Sequence, residues 1–265
     1  MKISIVTVAF NEEKNIRRTI ESVLNQTSCD FEYIICDGKS TDRTVEIAKE
    51  YESIFSQKGI NFIVNSEKDN GIYDGMNKGI DLSSGNYVIF INAGDALYNS
   101  DVIGNIIRSI KDDQPEVVYG DCQFIDNHIK RVECADHQLL KERMSICHQS
   151  VLVRTDIIKA NKFDINYKIA ADYNMMLTLY MQKCRFFKIN EVISIFYADG
   201  ISSLQIIEST KEACAVKLRH GIKCNARKEI SIAKKIQRII KIKNYLPKII
   251  WKIWSVNIKK REWIE

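Results

Sequence analysis

The N-terminal part of the chain alternates short, mostly apolar runs with segments in which apolar residues recur every three or four positions. The apolar runs lie at residues 3–10, 31–36, 60–64 and 87–91. Runs of this length predict buried strands, and the segments between them have the spacing of amphipathic helices. Strands that alternate with helices favour an α/β fold with a doubly wound, mostly parallel sheet.

Polar residues mark where these helices are expected to begin. Asn11 follows the first strand and is a candidate N-cap for the first helix. Ser40 or Thr41 is a candidate cap for the second helix, and the run at 69–71 opens the third. Capping residues at these places are consistent with the predicted α/β alternation.

The apolar run at 87–91 is followed directly by Asn92-Ala93-Gly94-Asp95. Ligands of open α/β sheets bind beyond the carboxyl ends of the strands. A buried strand would therefore deliver Asn92 and Asp95 to the rim where a nucleotide or a metal ion binds. Taken alone, the same residues also suit an ordinary polar turn.

The second half of the chain is less regular and predicts shorter elements. A helix is expected from Ala170 onward, and helical segments follow residue 205. The expected strands lie at 117–119, 129–134, 151–153 and 185–197, the last as one strand or two. We therefore expect an α/β domain over residues 1–205 and a helical tail over residues 206–265.

The tail differs from the rest of the chain in charge. From residue 227 onward, twelve lysines and arginines face three glutamates, a net charge of +9, which leaves −4 for the rest of a chain whose net charge is +5. All three tryptophans also lie there, and Pro247 should divide the tail into two helices. Basic amphipathic helices edged with tryptophan are typical of anionic membrane surfaces. Two ordinary helices that pack on the core and expose a basic face would have a similar pattern. Nucleic acid is a poorer partner, because binding it would leave the apolar face of the tail helices uncovered.

The overall composition is that of a globular protein, with 45% hydrophobic and 28% charged residues. The chain has no apolar run of the roughly 18 residues that suggest a membrane span, and its first residues have a strand pattern rather than that of a signal peptide. The eight cysteines form no CxxC pair and have no zinc-like spacing with the histidines. We therefore expect reduced thiols and a cytoplasmic location.

Carboxylates follow several of the predicted strands. Asp37, Asp69 and Asp95 lie at or just beyond strand ends, and Asp172 lies at the start of a later helix. The first strand is not followed by the glycine pattern of dinucleotide folds, and no P-loop is present. Acidic residues in this order suit an enzyme that uses a nucleotide sugar. One carboxylate would contact the nucleoside, another would bind a cation, and a third would remove a proton from the acceptor. Each residue taken singly also suits a turn or a cap.

A set of motifs resembles the family 2 inverting glycosyltransferases with the GT-A fold. The motifs cover roughly residues 1–205 in the family's order and are SIVTVAFNEE at 4–13, DGKSTDRT at 37–44, DNGIYDGMNKG at 69–79, SGNY at 84–87 with the strand and turn that follow, HQ at 148–149 and AD at 171–172. The Asn-x-Gly-Asp form of the turn resembles transferases that make bacterial surface polysaccharides of the O-antigen or capsule type. The resemblance implies a Rossmann-like GT-A domain, here followed by the basic helical tail.

By this resemblance, the protein transfers a sugar from a UDP-sugar to a carbohydrate hydroxyl with inversion. Asp172 would be the base, Asp95 a ligand of Mg²⁺ or Mn²⁺, and His148 either a partner of the cation or a phosphate, or a structural residue. The residues expected to bind the donor are Thr7, Ala9, Asn11, Glu13, Asp37, Asp69, Lys78 and Asn92. A lipid-linked acceptor on the inner face of the plasma membrane would suit the basic tail.

Two positions depart from the family pattern. Gly94 stands where the chief metal ligand is expected, and Ala171 replaces the acid beside Asp172. The missing acid at Gly94 keeps open a transferase-like module that binds carbohydrate or nucleotide without turnover. A nucleotidyltransferase, which would release pyrophosphate, is a further alternative, although the first loop lacks the glycines that such an enzyme needs.

Overall fold

A computed structural model describes residues 1–111, 113–126, 130–197 and 205–243. The strands are β1 Ile3–Ala9, β2 Phe31–Asp37, β3 Phe62–Ser66, β4 Tyr87–Phe90, β5 Ala96–Leu97, β6 Val117–Ile125, β7 Lys130–Glu133, β8 Val151–Arg154 and β9 Phe186–Tyr197. The helices are α1 Ile16–Leu24, α2 Thr44–Lys49, α3 Glu52–Gln57, α4 Ile72–Leu82, α5 Val102–Ser109, α6 Thr155–Ala160, α7 Ala171–Met181, α8 Ile206–Arg219 and α9 Ala226–Lys243. Short 3₁₀ turns lie at His137–Lys141 and His148–Ser150.

The strands of the described residues form one sheet in the order β3-β2-β1-β4-β8-β6-β9-β5, with β7 also paired to β6. Strands β1 to β4 run parallel, and β8 is inserted antiparallel between β4 and β6. Strand β9 is parallel to β6, and β5 and β7 are antiparallel to their partners. The predicted α/β class with a mostly parallel sheet is confirmed.

Helices cover both faces of the sheet because the buried strands are apolar on both sides. One buried cluster joins the sheet to α1, α2, α3 and α5, and a second joins it to α4, α6, α7 and α8. Val216 of α8 is fully buried in the second cluster. The predicted boundary at residue 205 therefore falls just before a helix that packs on the α/β core, and the division into two units stays a prediction.

Several predicted boundaries differ from the structure. The first helix begins at Ile16, and Asn11 is not its N-cap but has a left-handed backbone with φ 55°. The second helix begins at Thr44, where the Asp42 side chain accepts from the Thr44 amide at 3.0 Å, so neither Ser40 nor Thr41 caps it. In both cases contacts with a neighbouring loop override the local capping pattern.

Two further predictions concern strands and the tail. The segment predicted as one or two strands at 185–197 is the single strand β9, with register irregularities against β6. The strand predicted at 129–134 is confirmed as β7 over Lys130–Glu133, whereas residue 129 lies outside the described residues. The predicted helix break at Pro247 and the three tryptophans also lie outside them.

Candidate active site

The turn at residues 92–95 lies at the carboxyl end of β4 and is fixed by helix α1. The hydroxyl of Thr19 accepts from the Gly94 amide at 2.9 Å and donates to the Asp95 carbonyl at 2.7 Å. Gly94 has a φ of 100°, which L side chains rarely adopt, so the glycine suits the backbone of this turn. The turn is therefore rigidly placed relative to the first turn of α1.

Asp95 is buried and is bonded on both oxygens. Oδ2 accepts from Nε2 of Gln149 at 2.7 Å, and Oδ1 accepts from the Tyr197 amide at 3.1 Å. Burial raises the pKa of Asp95 to about 6, although these hydrogen bonds and the nearby charges of His148 and Arg18 act to lower it. Asp95 is thus a carboxyl group whose charge is poorly solvated near neutral pH.

Asp172 lies in the first turn of α7, with 17% of its side chain exposed. Its Oδ1 accepts from the Tyr173 amide at 2.7 Å and lies 3.3 Å from the Tyr73 hydroxyl, which itself donates to the Ile169 carbonyl at 2.6 Å. Its Oδ2 lies 3.3 Å from Nδ1 of His148. The carboxylate is held from two sides while one side remains open to solvent, as a base for an incoming hydroxyl requires.

His148 connects Asp172 to the turn after β4. Its Nε2 lies 3.0 Å from Nδ2 of Asn92, so Nδ1 carries the proton toward Asp172 when the ring is neutral. Burial acts to lower the pKa of His148, but the hydrogen bond and charge of Asp172 and the charge of Asp95 outweigh it, and the pKa lies above its usual value. Asn92, His148 and Asp172 therefore form a continuous polar chain across the site.

The segment before α7 is held by a residue from α8. Ala170 occupies the N-cap position, and its side chain cannot cap the helix. Glu212 accepts instead from the amides of Lys168 at 3.0 Å, Ile169 at 2.8 Å and Ala170 at 2.9 Å. These bonds fix the backbone directly before Asp172.

The loops after β1 and β2 interlock at the other side of the site. The side chain of Asn11 accepts from the Thr41 amide at 2.9 Å, and that of Glu13 accepts from the Arg43 amide at 3.2 Å. Asp37 is buried and accepts from the Ser40 amide at 3.0 Å, among other partners. The expected nucleoside-side residues thus lie together.

Four other residues expected to bind the donor lie at different depths around these loops. They are Asp69, Lys78, Thr7 and Ala9. A Cβ added to Gly38 would lie 2.6 Å from Oδ2 of Asp69, so this carboxylate packs directly on the turn after β2. Lys78 donates to the Lys68 carbonyl at 2.6 Å. Ala9 is buried, and Thr7 is fully buried with its hydroxyl donated to the Ile91 carbonyl at 2.6 Å, so any part Thr7 has in donor binding is a supporting one.

Four residues that were not expected from the sequence also contact the candidate site. They are Gln149, Tyr73, Glu212 and Arg18. Gln149 lies in the motif HQ and Tyr73 in the motif DNGIYDGMNKG, so their membership of these motifs could have identified both as site residues. Nothing local marks Glu212 or Arg18, because their partners lie far away along the chain.

The residues at the turn do not fit a metal site built by the protein. Among the described residues, no group of three or more His, Cys, Asp or Glu side chains could hold a metal ion. Both oxygens of Asp95 accept hydrogen bonds from the protein, and both ring nitrogens of His148 have protein partners. Mg²⁺ and Mn²⁺ prefer carboxylate oxygens that are free to coordinate.

The sequence pattern described as Glycosyl transferase family 2 matches residues 4–176. The chain belongs to this family. A PGL/p-HBAD biosynthesis glycosyltransferase of Mycobacterium bovis is 27% identical over 225 residues, which cover 83% of this chain and 86% of that protein. An uncharacterized glycosyltransferase of Methanocaldococcus jannaschii is 27% identical over 203 residues, 72% of this chain and 69% of that one.

Solved structures share the fold of this glycosyltransferase. S. aureus TarS 1-349 in complex with UDP-GlcNAc has a TM-score of 0.65 and 16% identity, over 86% of this chain and 69% of that chain. The mannosyltransferase PcManGT from Pyrobaculum calidifontis, in complex with GDP-Man and Mn²⁺, has a TM-score of 0.65 and 14% identity, over 88% of this chain and 68% of that chain. The likeness confirms the predicted GT-A fold.

Proposed function

We propose that this family 2 glycosyltransferase moves a sugar from a UDP-sugar to a carbohydrate hydroxyl with inversion. The observation that carries the proposal is the placement of Asp172. It is a partly exposed carboxylate, fixed by Tyr73 and His148 and linked through Asn92 to the turn after β4. A base connected to the turn beside the proposed donor site suits a single in-line displacement.

In the proposed reaction, Asp172 takes the proton of the acceptor hydroxyl while the acceptor oxygen forms a bond to the anomeric carbon. The bond between that carbon and the diphosphate oxygen breaks, and the nucleoside diphosphate leaves with the electron pair. The hydrogen bond from Nδ1 of His148 orients the Asp172 carboxylate and stabilises the charged form that accepts the proton. No covalent enzyme intermediate is needed.

The loops after β1 and β2 are proposed to hold the nucleoside. Asn11, Glu13 and Asp37 lie in loops that interlock through hydrogen bonds, and Asp69 packs on the same turn. Lys78 lies on α4, which begins shortly after Asp69, and would approach the ribose or the diphosphate. Structural neighbours were solved with UDP, UDP-GlcNAc and GDP-Man, which supports a nucleotide sugar as the donor.

The acceptor and location are proposed from the tail. None of the helices among the described residues is long and apolar enough to cross a membrane. Helix α9 is basic in composition, and Ile232 and Ile236 on it are exposed. We propose peripheral binding to the anionic inner face of the plasma membrane, with a lipid-linked oligosaccharide of surface-polysaccharide synthesis as acceptor.

Incubation with a panel of UDP- and GDP-sugars, with detection of the released nucleotide, tests the proposed function. Slow hydrolysis of one donor, lost in Asp172→Asn, is the expected result. A protein that binds UDP tightly but releases none from any donor, with or without an acceptor mixture, would instead be a binding module, the alternative that Gly94 favours. Release of pyrophosphate would indicate a nucleotidyltransferase.

A further inference from the structure

A guanidinium group lies where the family pattern places an acidic side chain. Nη2 of Arg18 donates to the Gly94 carbonyl, and a Cβ added to Gly94 would lie 3.7 Å from that same nitrogen. Any side chain at position 94 would therefore begin against a positive charge. The chain has a glycine where a metal ligand is expected, and a cation beside it.

The Arg18 guanidinium is fixed in place by its neighbours. Its central carbon lies 3.7 Å from the centroid of the Tyr197 ring, a cation–π contact. Tyr197 also donates its amide to Asp95, so the ring, the carboxyl group and the guanidinium belong to one packed unit. A guanidinium held flat against a ring presents its remaining donors in a defined direction.

Two buried polar atoms at this unit have no partner among the residues that the structure describes. They are Nε of Arg18 and Oδ1 of Asn92, and Asn92 is only 8% exposed. Leaving a buried polar atom unpaired is unfavourable. Of the two, the unpaired donor on Arg18 is complementary to an anionic oxygen, whereas the Asn92 oxygen is an acceptor and would need a different partner.

Arg18 also places a positive charge where a metal ion would be expected. A guanidinium at this position disfavours a second, divalent cation beside it and attracts the anionic diphosphate.

We propose that Arg18 binds the diphosphate of the donor and supplies the positive charge there, so that donor binding does not require a divalent metal ion. The proposal rests on the proposed function and identifies how its donor site neutralises charge. The planar fork of arginine matches two phosphate oxygens at once, and such charge-assisted bonds are stronger than neutral ones. The hydrogen atoms of the guanidinium that the Gly94 carbonyl does not accept would make them.

Calorimetric titration of the full-length protein with UDP and with GDP, each with EDTA and with Mn²⁺, tests the proposal. Arg18→Ala is compared with Arg18→Lys and with a control, Arg17→Ala. Arg17 is the neighbouring residue on α1, and its exposed side chain pairs with Glu50. The unmodified protein should bind in EDTA within about threefold of its affinity in Mn²⁺. Arg18→Ala should weaken binding in EDTA by about tenfold or more, as loss of a charged hydrogen bond implies. Arg18→Lys should be intermediate, and Arg17→Ala unchanged.

Uridine serves as the probe that separates a lost phosphate contact from a damaged fold. Arg18→Ala should bind uridine as the unmodified protein does, and should lose only the added affinity that the diphosphate provides. Binding that needs Mn²⁺ in the unmodified protein, unchanged UDP affinity in Arg18→Ala, or equal loss of uridine and UDP would each overturn the role of Arg18. Absence of any nucleoside diphosphate binding under all conditions would instead overturn the proposed function itself.

Discussion

Replacement of Glu32 by glutamine is expected to destabilise the protein in a pH-dependent way without touching the candidate active site. Glu32 lies on β2 and is fully buried. It accepts from the amide and hydroxyl of Ser84, both at 2.6 Å, from the Ser4 hydroxyl at 2.7 Å and from the Gly85 amide at 3.1 Å, and Lys2 lies 3.4 Å away. This carboxylate joins the beginnings of β1, β2 and β4, at the opposite end of the strands from the site.

The size of the effect follows from the pKa of Glu32. Burial acts to raise it, but the hydrogen bonds from Ser84 and Ser4 and the charge of Lys2 outweigh burial and lower the pKa from 4.5 to about 2. A shift of this size corresponds to about 3 kcal/mol of folding free energy. Because the folded pKa is depressed, the contribution is complete above the unfolded pKa near 4.5 and is lost as the pH falls toward 2.

Urea unfolding at pH 7 and pH 3 measures this contribution. At pH 7, Glu32→Gln should lower the free energy of unfolding by about 3 kcal/mol, and at pH 3 the difference should shrink to about half. Glu52→Gln, at an exposed position on α3, is the control and should leave stability unchanged at both pH values. A difference that is the same at both pH values, or a Glu32→Gln protein as stable as the unmodified one at pH 7, would refute the electrostatic reasoning.

Three further predictions concern the site and the tail. Asp172→Asn should retain UDP binding and lower turnover by about 100-fold or more, as removal of a positioned base does; near-normal turnover measured by nucleotide release would exclude Asp172 as the base. Glu212→Ala removes the acceptor for the backbone amides of residues 168–170. Because a misplaced base slows the chemical step, kcat should fall by about tenfold while the KM for the donor stays unchanged. Glu208→Ala, one turn earlier on α8, is the control, and an equal loss of donor affinity in Glu212→Ala would show that Glu212 supports the fold as a whole rather than the base. Truncation before Arg227 should abolish sedimentation with anionic liposomes while donor hydrolysis persists, and salt-insensitive binding by both forms, or binding by neither, would contradict the membrane role.

The parallel half of the fold could be predicted because its information is local. Each of the first four strands is a short apolar run between turn residues, and the structure confirms all four, with β3 beginning at Phe62 rather than residue 60. Helix starts were harder to predict. Asn11 has the residue type of an N-cap, but its side chain and its amide bond Thr41 and Ser40 in the next loop, and the helix begins only at Ile16.

The residues expected at the site were drawn from strand ends and motifs, and the structure brings Asn92, His148 and Asp172 together. Their supporting contacts could not be predicted from the sequence. Glu212 bonds amides more than forty residues before it, with a separation of 42 to Ala170. Contacts of this kind depend on how α8 packs against α7, and no periodicity in the sequence encodes that packing.

The position of β8 in the sheet explains why the dipeptide His148-Gln149 can contact both acids. Because β8 is inserted beside β4, the 3₁₀ turn that precedes it lies next to the turn at 92–95. Successive residues of such a turn point in different directions, so His148 reaches Asp172 and Gln149 reaches Asp95. One short segment thereby holds both the proposed base and the carboxyl group at the proposed diphosphate site. A change in the register of β8 against β4 would therefore move both contacts together.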